Sequence, residues 1–207
     1  NREGEIEWGF DESKGRLILK GPGPIEGYAN GERMCKIKDY GSNNVPWLKS
    51  YGNQIQSAVV CYGISSIGNS AFYSCNALKS VVIPNSVTSI GNWTFSGCTH
   101  LESVVIPSSV TSIGNFAFSG CTSLKSVVIP DGVSSIGDCA FYSCDTLESV
   151  VISDSVISIG YYAFSYSNIE EFFIPSSVVS IGCNPFFECE QLRRIEVAEG
   201  SNHFKVV

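Results

Sequence analysis

The sequence predicts a β-rich solenoid: short repeats wound into a right-handed coil, with a parallel sheet on the concave face and an N-terminal β-hairpin as a cap. Three observations carry this. Valine and isoleucine number 20 each, against 8 leucines and one methionine; β-branched side chains lose χ1 freedom in helices and fit strands well. A motif recurs every 23 residues over most of the 207-residue chain, and periods of this size mark stacked repeats. Charged residues make up only 16% while serines number 32, where about a quarter charged is ordinary. Stacking puts identical positions side by side, so like charges repel where serine does not.

The cap comes first. EIEWGFD, a turn at ESKG, and RLILKG read as a hairpin. It falls in a capping region, 1–54, which covers the open end of the first coil, because a terminal repeat needs a cap. The repeats follow. LKSVVIPNSVTSIGNWTFSGCTH begins at Leu78, and close copies begin at Leu101, Leu124, Leu147 and Ile169. A degenerate copy begins at Ile55 and a last one breaks off after Leu192. Six leucine-rich repeats therefore span 55–191, the one at Leu147 having 22 residues, and 192–207 starts a further, truncated repeat.

Each unit reads as one strand plus a return segment. Strand side chains alternate faces, so Val81 and Ile83 point inward, with Val104/Ile106, Val127/Ile129 and Val150/Ile152 below them. The return segment adds three inward columns: the valines from Val87 to Val178, the isoleucines from Ile67 to Ile181, and a phenylalanine spine of Phe72, Phe95, Phe118, Phe141, Phe164 and Phe186. The glycine after each isoleucine (Gly91, Gly114 and their equivalents) supplies a left-handed or crowded backbone position. Small residues before each phenylalanine, such as Ala117, permit close packing between coils.

These residues resemble the BspA-like, or treponemal-type, leucine-rich repeats, whose unit reads roughly C-x-x-L-x-S-V-x-I-P-x-S-V-T-x-I-G-x-x-A-F. The likeness covers 55–207. The stretch from Trp8 to Asp11, then Gly15 to Gly21, then Pro46-Trp47 is similar to the segment that often precedes such repeats. The resemblance implies a secreted or surface-attached protein of anaerobic bacteria or mucosal protozoan parasites. It implies adhesion to host cells or extracellular matrix. Departures are Cys61-Tyr62 and Ser153 in place of prolines, and Ser167 in place of a cysteine. The last unit, IEVAEGSNHFKVV, looks like a different repeat type cut short, so the chain is expected to be a fragment. No signal peptide or anchor is expected within it; its N-terminus lacks the apolar h-region of a signal peptide.

On the concave face, Val59, Val82, Val105, Val128, Val151 and Phe173 point outward. Beside them runs Ser57, Ser80, Ser103, Ser126, Ser149 and Glu171. At about 4.8 Å between strands, the apolar stripe is about 25 Å long. Its candidate protein-binding residues are Val82, Ser103, Val105, Ser126, Val128, Val151, Glu171 and Phe173. Exposed apolar patches mark interaction sites, while stacked valines also support a parallel sheet through side-by-side contact. Two uses of the stripe as a surface stay open: binding a host or matrix protein, or pairing two copies into a homodimer.

Other columns offer further candidates. Lys79, Glu102, Lys125, Glu148, Glu170 and Arg193 form a column of mixed sign in which neighbours pair across coils. The column after the glycines varies while its neighbours scarcely change; its aromatics Trp93, Phe116 and Tyr162 form a second candidate surface on the convex side. Asn92-Trp93-Thr94 is a glycosylation sequon at Asn92. Cys75, Cys98, Cys121, Cys144 and Cys189 share one repeat position and read as buried free thiols; Cys35 and Cys61 are the candidate disulfide.

The remaining chemistry is bounded by exclusions. A net charge of −7, with 10 acidic and 2 basic residues in 55–191, removes the electrostatic attraction to nucleic acid. No P-loop, G-x-S-x-G, H-E-x-x-H or dinucleotide fingerprint occurs, and the cysteine spacings do not suit zinc. No enzyme activity, cofactor, metal or small-molecule substrate is expected.

Overall fold

In the computed structural model, residues 6–21, the backbone of 35–37, and 45–204 are described. Strands β1 (Glu7–Asp11) and β2 (Arg16–Lys20) form the expected hairpin, with Trp8 opposite Leu19 and Phe10 opposite Leu17. Its turn requires Gly15, at φ +56°, where a Cβ would stand 2.8 Å from the Gln54 carbonyl oxygen. The hairpin does more than cover the first coil. It extends the long-strand sheet, because β2 runs parallel to the first strand of the coils.

Between hairpin and coils, β3 (Cys35–Ile37) and a short helix, α1 (Pro46–Tyr51), complete the cap. The sequence showed the Pro-Trp pair but not this helix. Proline fits the first helical turn, where its missing N–H is not needed. Trp47 is fully buried, its Nε1–H donates to the Ala71 carbonyl at 2.8 Å, and its ring lies 6.4 Å from Phe72.

The first coil carries two strands, β4 (Ser57–Val60) and β5 (Ile64–Ile67), which pair with β2 and β3 respectively. The expectation of one strand per unit is therefore corrected. The return segment contributes a second, short strand in every coil. Long strands recur at Ser80–Val82, Ser103–Val104, Ser126–Ile129, Ser149–Ile152, Glu171–Ile174 and Arg194–Val197. Short ones recur at Ser89–Ile90, Ser112–Ile113, Ser135–Ile136, Ser158–Ile159 and Ser180–Ile181. Each pairs in parallel and in repeat register with at least one neighbour, Ser80 beside Ser103 and Ile90 beside Ile113, but the long-strand ladder is interrupted between Ser103–Val104 and Ser126–Ile129 and again between Ser149–Ile152 and Glu171–Ile174. The third side of each coil is turn-rich, yet it too bonds coil to coil: Phe95 N–H donates to the Ala117 carbonyl at 2.7 Å and Phe118 N–H to that of Ala140 at 2.8 Å.

The core fills as expected. Val81, Ile83, Val104, Ile106, Val127 and Ile129 are buried beneath the long strands, although Val150 is half-buried. The five phenylalanines from Phe72 to Phe164 are fully buried, with ring centroids 5.1–5.5 Å apart and near-parallel planes. Offset stacking of this kind adds to the large apolar burial of each ring. Phe186 continues the spine at 6.0 Å but is half-buried.

The repeated glycines are crowded rather than left-handed. A Cβ on Gly137 would lie 2.6 Å from the Asn115 backbone nitrogen, with no positive φ. Left-handed backbone falls instead on the variable column, at Ser70, Trp93, Phe116, Cys139, Tyr162 and Asn184. Just before it runs a ladder that the sequence reading missed. The side-chain oxygen of Asn69 accepts from the Asn92 N–H, Asn92 from Asn115, Asn115 from Asp138, and Asp138 from Tyr161, at 2.6–2.9 Å. Each amide or carboxylate satisfies a turn N–H of the next coil. The threefold recurrence of asparagine was its signal.

Candidate binding surface

The long strands present the expected stripe. Val82 is 58% exposed, Val105 79%, Val128 59%, Val151 54% and Phe173 48%. Val59, by contrast, is half-buried, so the exposed run covers five coils, or about 20 Å at one strand spacing per coil. Ser80, Ser103, Ser126, Ser149 and Glu171 are exposed beside it. Strand alternation explains the pattern: each outward valine lies between two inward residues of the core, so burial of Val127 and Ile129 forces Val128 outward.

At its far end the stripe opens into a cavity of about 450 Å³. Phe173 and Glu171 line it with Glu148, Glu170, Arg194 and Glu196. Arg194, the register partner of Glu171, forms an ion pair with Glu196 on its own strand. The expected ladder of pairs from Lys79 to Arg193 is not formed: among the described residues the ion pairs are Lys14–Asp11 and Arg194–Glu196. That column is tied through its backbone instead, Glu102 N–H donating to the Lys79 carbonyl at 3.2 Å and Glu148 N–H to that of Lys125 at 3.0 Å. Exposed pairs contribute so little that long side chains need not hold them.

The convex aromatics are arranged differently from the stripe. Trp93 is 39% exposed and stacks on Phe116 at 3.9 Å, their planes 6° apart, while Phe116 and Tyr162 are half-buried. Much of that surface is therefore spent on the neighbouring coil. Asn92 is exposed, but its side-chain oxygen belongs to the ladder, and the Thr94 hydroxyl of the sequon is buried, donating to the Gly91 and Gly68 carbonyls.

Of the repeat cysteines, Cys75, Cys98, Cys121 and Cys144 are fully buried free thiols, whereas Cys189, expected to be buried with them, is a half-buried free thiol. Cys98, Cys121 and Cys144 each donate to a phenylalanine carbonyl of the preceding coil at 3.2–3.3 Å. Burial pushes all four well above the ordinary thiol value, which keeps them protonated and poor nucleophiles. Cys61 also carries a free thiol, half-buried; the side chain of its candidate partner Cys35 lies outside the described residues.

A family model for the BspA type leucine rich repeat region matches residues 50–168 and 111–206. The chain belongs to this family. Among solved structures, it is similar to a leucine-rich repeat protein from Bacteroides ovatus, at 29% identity and a TM-score of 0.70, over 93% of this chain and 51% of that one. A leucine rich cell surface protein from Faecalibacterium prausnitzii is 27% identical at a TM-score of 0.67, over 95% of this chain and 54% of that one. The chain thus spans about half the length of both of these proteins. The T. pallidum leucine rich repeat protein shares the fold, at 22% identity and a TM-score of 0.66, over 93% of this chain and 90% of that one. Comparison with curated proteins returns no match.

Proposed function

We propose that the chain is a cell-surface protein-binding module that adheres to a host-cell or extracellular-matrix protein through its concave face. The observation that carries this is the valine stripe: five neighbouring coils each hold a large apolar side chain about half exposed or more. Contiguous apolar surface of this kind is a solubility liability on an isolated protein and an asset at an interface. The flanking serines supply hydrogen-bonding groups without the desolvation cost of charges. Membership of a family with a cell-surface relative supports the location.

The test is adhesion to immobilised extracellular-matrix proteins and epithelial cells, comparing wild type with a Val105→Lys/Val128→Lys variant. The variant should keep the native far-UV circular dichroism and lose adhesion. Undiminished adhesion by the folded variant would remove the stripe. Because lysines on adjacent strands repel, Val105→Ser/Val128→Ser provides a milder pair with the same expectation. The alternative use, self-association, predicts a concentration-dependent dimer that the same substitutions abolish.

A further inference from the structure

The coils differ along the edge where the third side turns toward the next long strand. One column there is left-handed in every coil: Ser74 (φ +54°), Gly97 (+75°), Gly120 (+72°), Ser143 (+52°), Tyr166 (+57°) and Glu188 (+55°). Glycine in two coils is what such backbone favours. Tyrosine and glutamate, in the last two, are residues the backbone there disfavours. The adjoining columns vary as well: one reads Tyr73, Ser96, Ser119, Tyr142, Ser165 and Phe187, the other Asn76, Thr99, Thr122, Asp145, Asn168 and Glu190.

Several of these residues meet in space. The Tyr166 ring lies edge-on to Tyr142 at 5.2 Å and to Phe187 at 5.7 Å. Tyr166 is 40% exposed and Phe187 41%. Beside Tyr166 is a groove of about 270 Å³, lined by Asp145, Asn168, Glu188, Glu190 and Gln191 and by no lysine, arginine or histidine. Aromatic faces attract cations, and carboxylates give guanidinium and ammonium groups their strongest hydrogen bonds. A metal is a poorer fit, since among the described residues no three His, Cys, Asp or Glu are grouped to hold one.

We propose that this aromatic and acidic groove binds a lysine- or arginine-bearing segment of a partner polypeptide. The site is independent of the valine stripe, lying on the turn side of the coil, and it completes a second contact on the same solenoid.

The probe is a fluorescein-labelled octapeptide with two arginines in a glycine–serine background, titrated to millimolar concentration at 150 mM salt and read by anisotropy. Tyr166→Gly should weaken binding at least tenfold while the thermal midpoint stays level or rises, because glycine relieves the left-handed backbone. Glu188→Gln/Glu190→Gln should weaken it comparably. The control Asp131→Asn/Asp154→Asn removes the same charge elsewhere and should change it less than twofold, and a citrulline version of the peptide should not bind. No binding by the arginine peptide, or equal losses in groove and control variants, would overturn the proposal. So would retention in Tyr166→Gly, or tighter binding of a neutral oligosaccharide.

Discussion

Phe118 and Val105 stand in the same coil and in columns that repeat with similar fidelity. Phe118 is fully buried between Phe95 and Phe141, at 5.2 Å from each. Val105 is 79% exposed. A ring column recurs because a gap in it would leave a cavity through the stack. The outward valine column has no such constraint, as only side-by-side contact within the sheet favours it. Regularity therefore means necessity inside the solenoid and leaves room for function outside it. The turn edge teaches the converse: where coils disagree, as at Gly120 and Tyr166, the same left-handed backbone carries different residues and the choice reflects something beyond the fold.

The contrast can be broken or sharpened by substitution. The largest effect is expected from Phe118→Ala, a loss of about 3–5 kcal/mol in urea unfolding. The buried thiols come next. Their folded pKa lies above the ordinary 9.0, so the native state keeps protons that the unfolded state releases. Stability is then full below about pH 8 and falls as pH rises past 9, by up to about 1.4 kcal/mol per unit for each thiol. Urea midpoints between pH 7 and 10 should show the fall, and Cys121→Ala should flatten it. Asn115→Ala removes one ladder acceptor, leaving the Asp138 N–H unpaired, and should cost about 1 kcal/mol in the same assay. The smallest effect is expected at Val105→Ser, no more than about 1 kcal/mol.

Much of this fold was legible because stacking turns sequence period into spatial columns. The inward valines, isoleucines and phenylalanines and the outward stripe followed from the 23-residue period and strand alternation. The second strand was harder to see: it is two residues long in most coils, too short for alternation to register. Left-handed backbone at Trp93, Phe116 and Tyr162 left no trace in residue type, since inter-coil hydrogen bonds rather than glycine hold it. The charge ladder was legible as a pattern but not as contacts, because a shared column does not oblige exposed side chains to meet. The groove beside Tyr166 was illegible for a different reason. It draws on three columns that each vary from coil to coil, with no shared pattern to mark where their side chains meet.

Paired urea titrations of Phe118→Ala and Val105→Ser in the same chain set the two columns directly against each other. A loss of about 3–5 kcal/mol at the ring beside one of at most about 1 kcal/mol at the valine is the predicted result. Equal losses would contradict it, placing the valine stripe among the requirements of the fold.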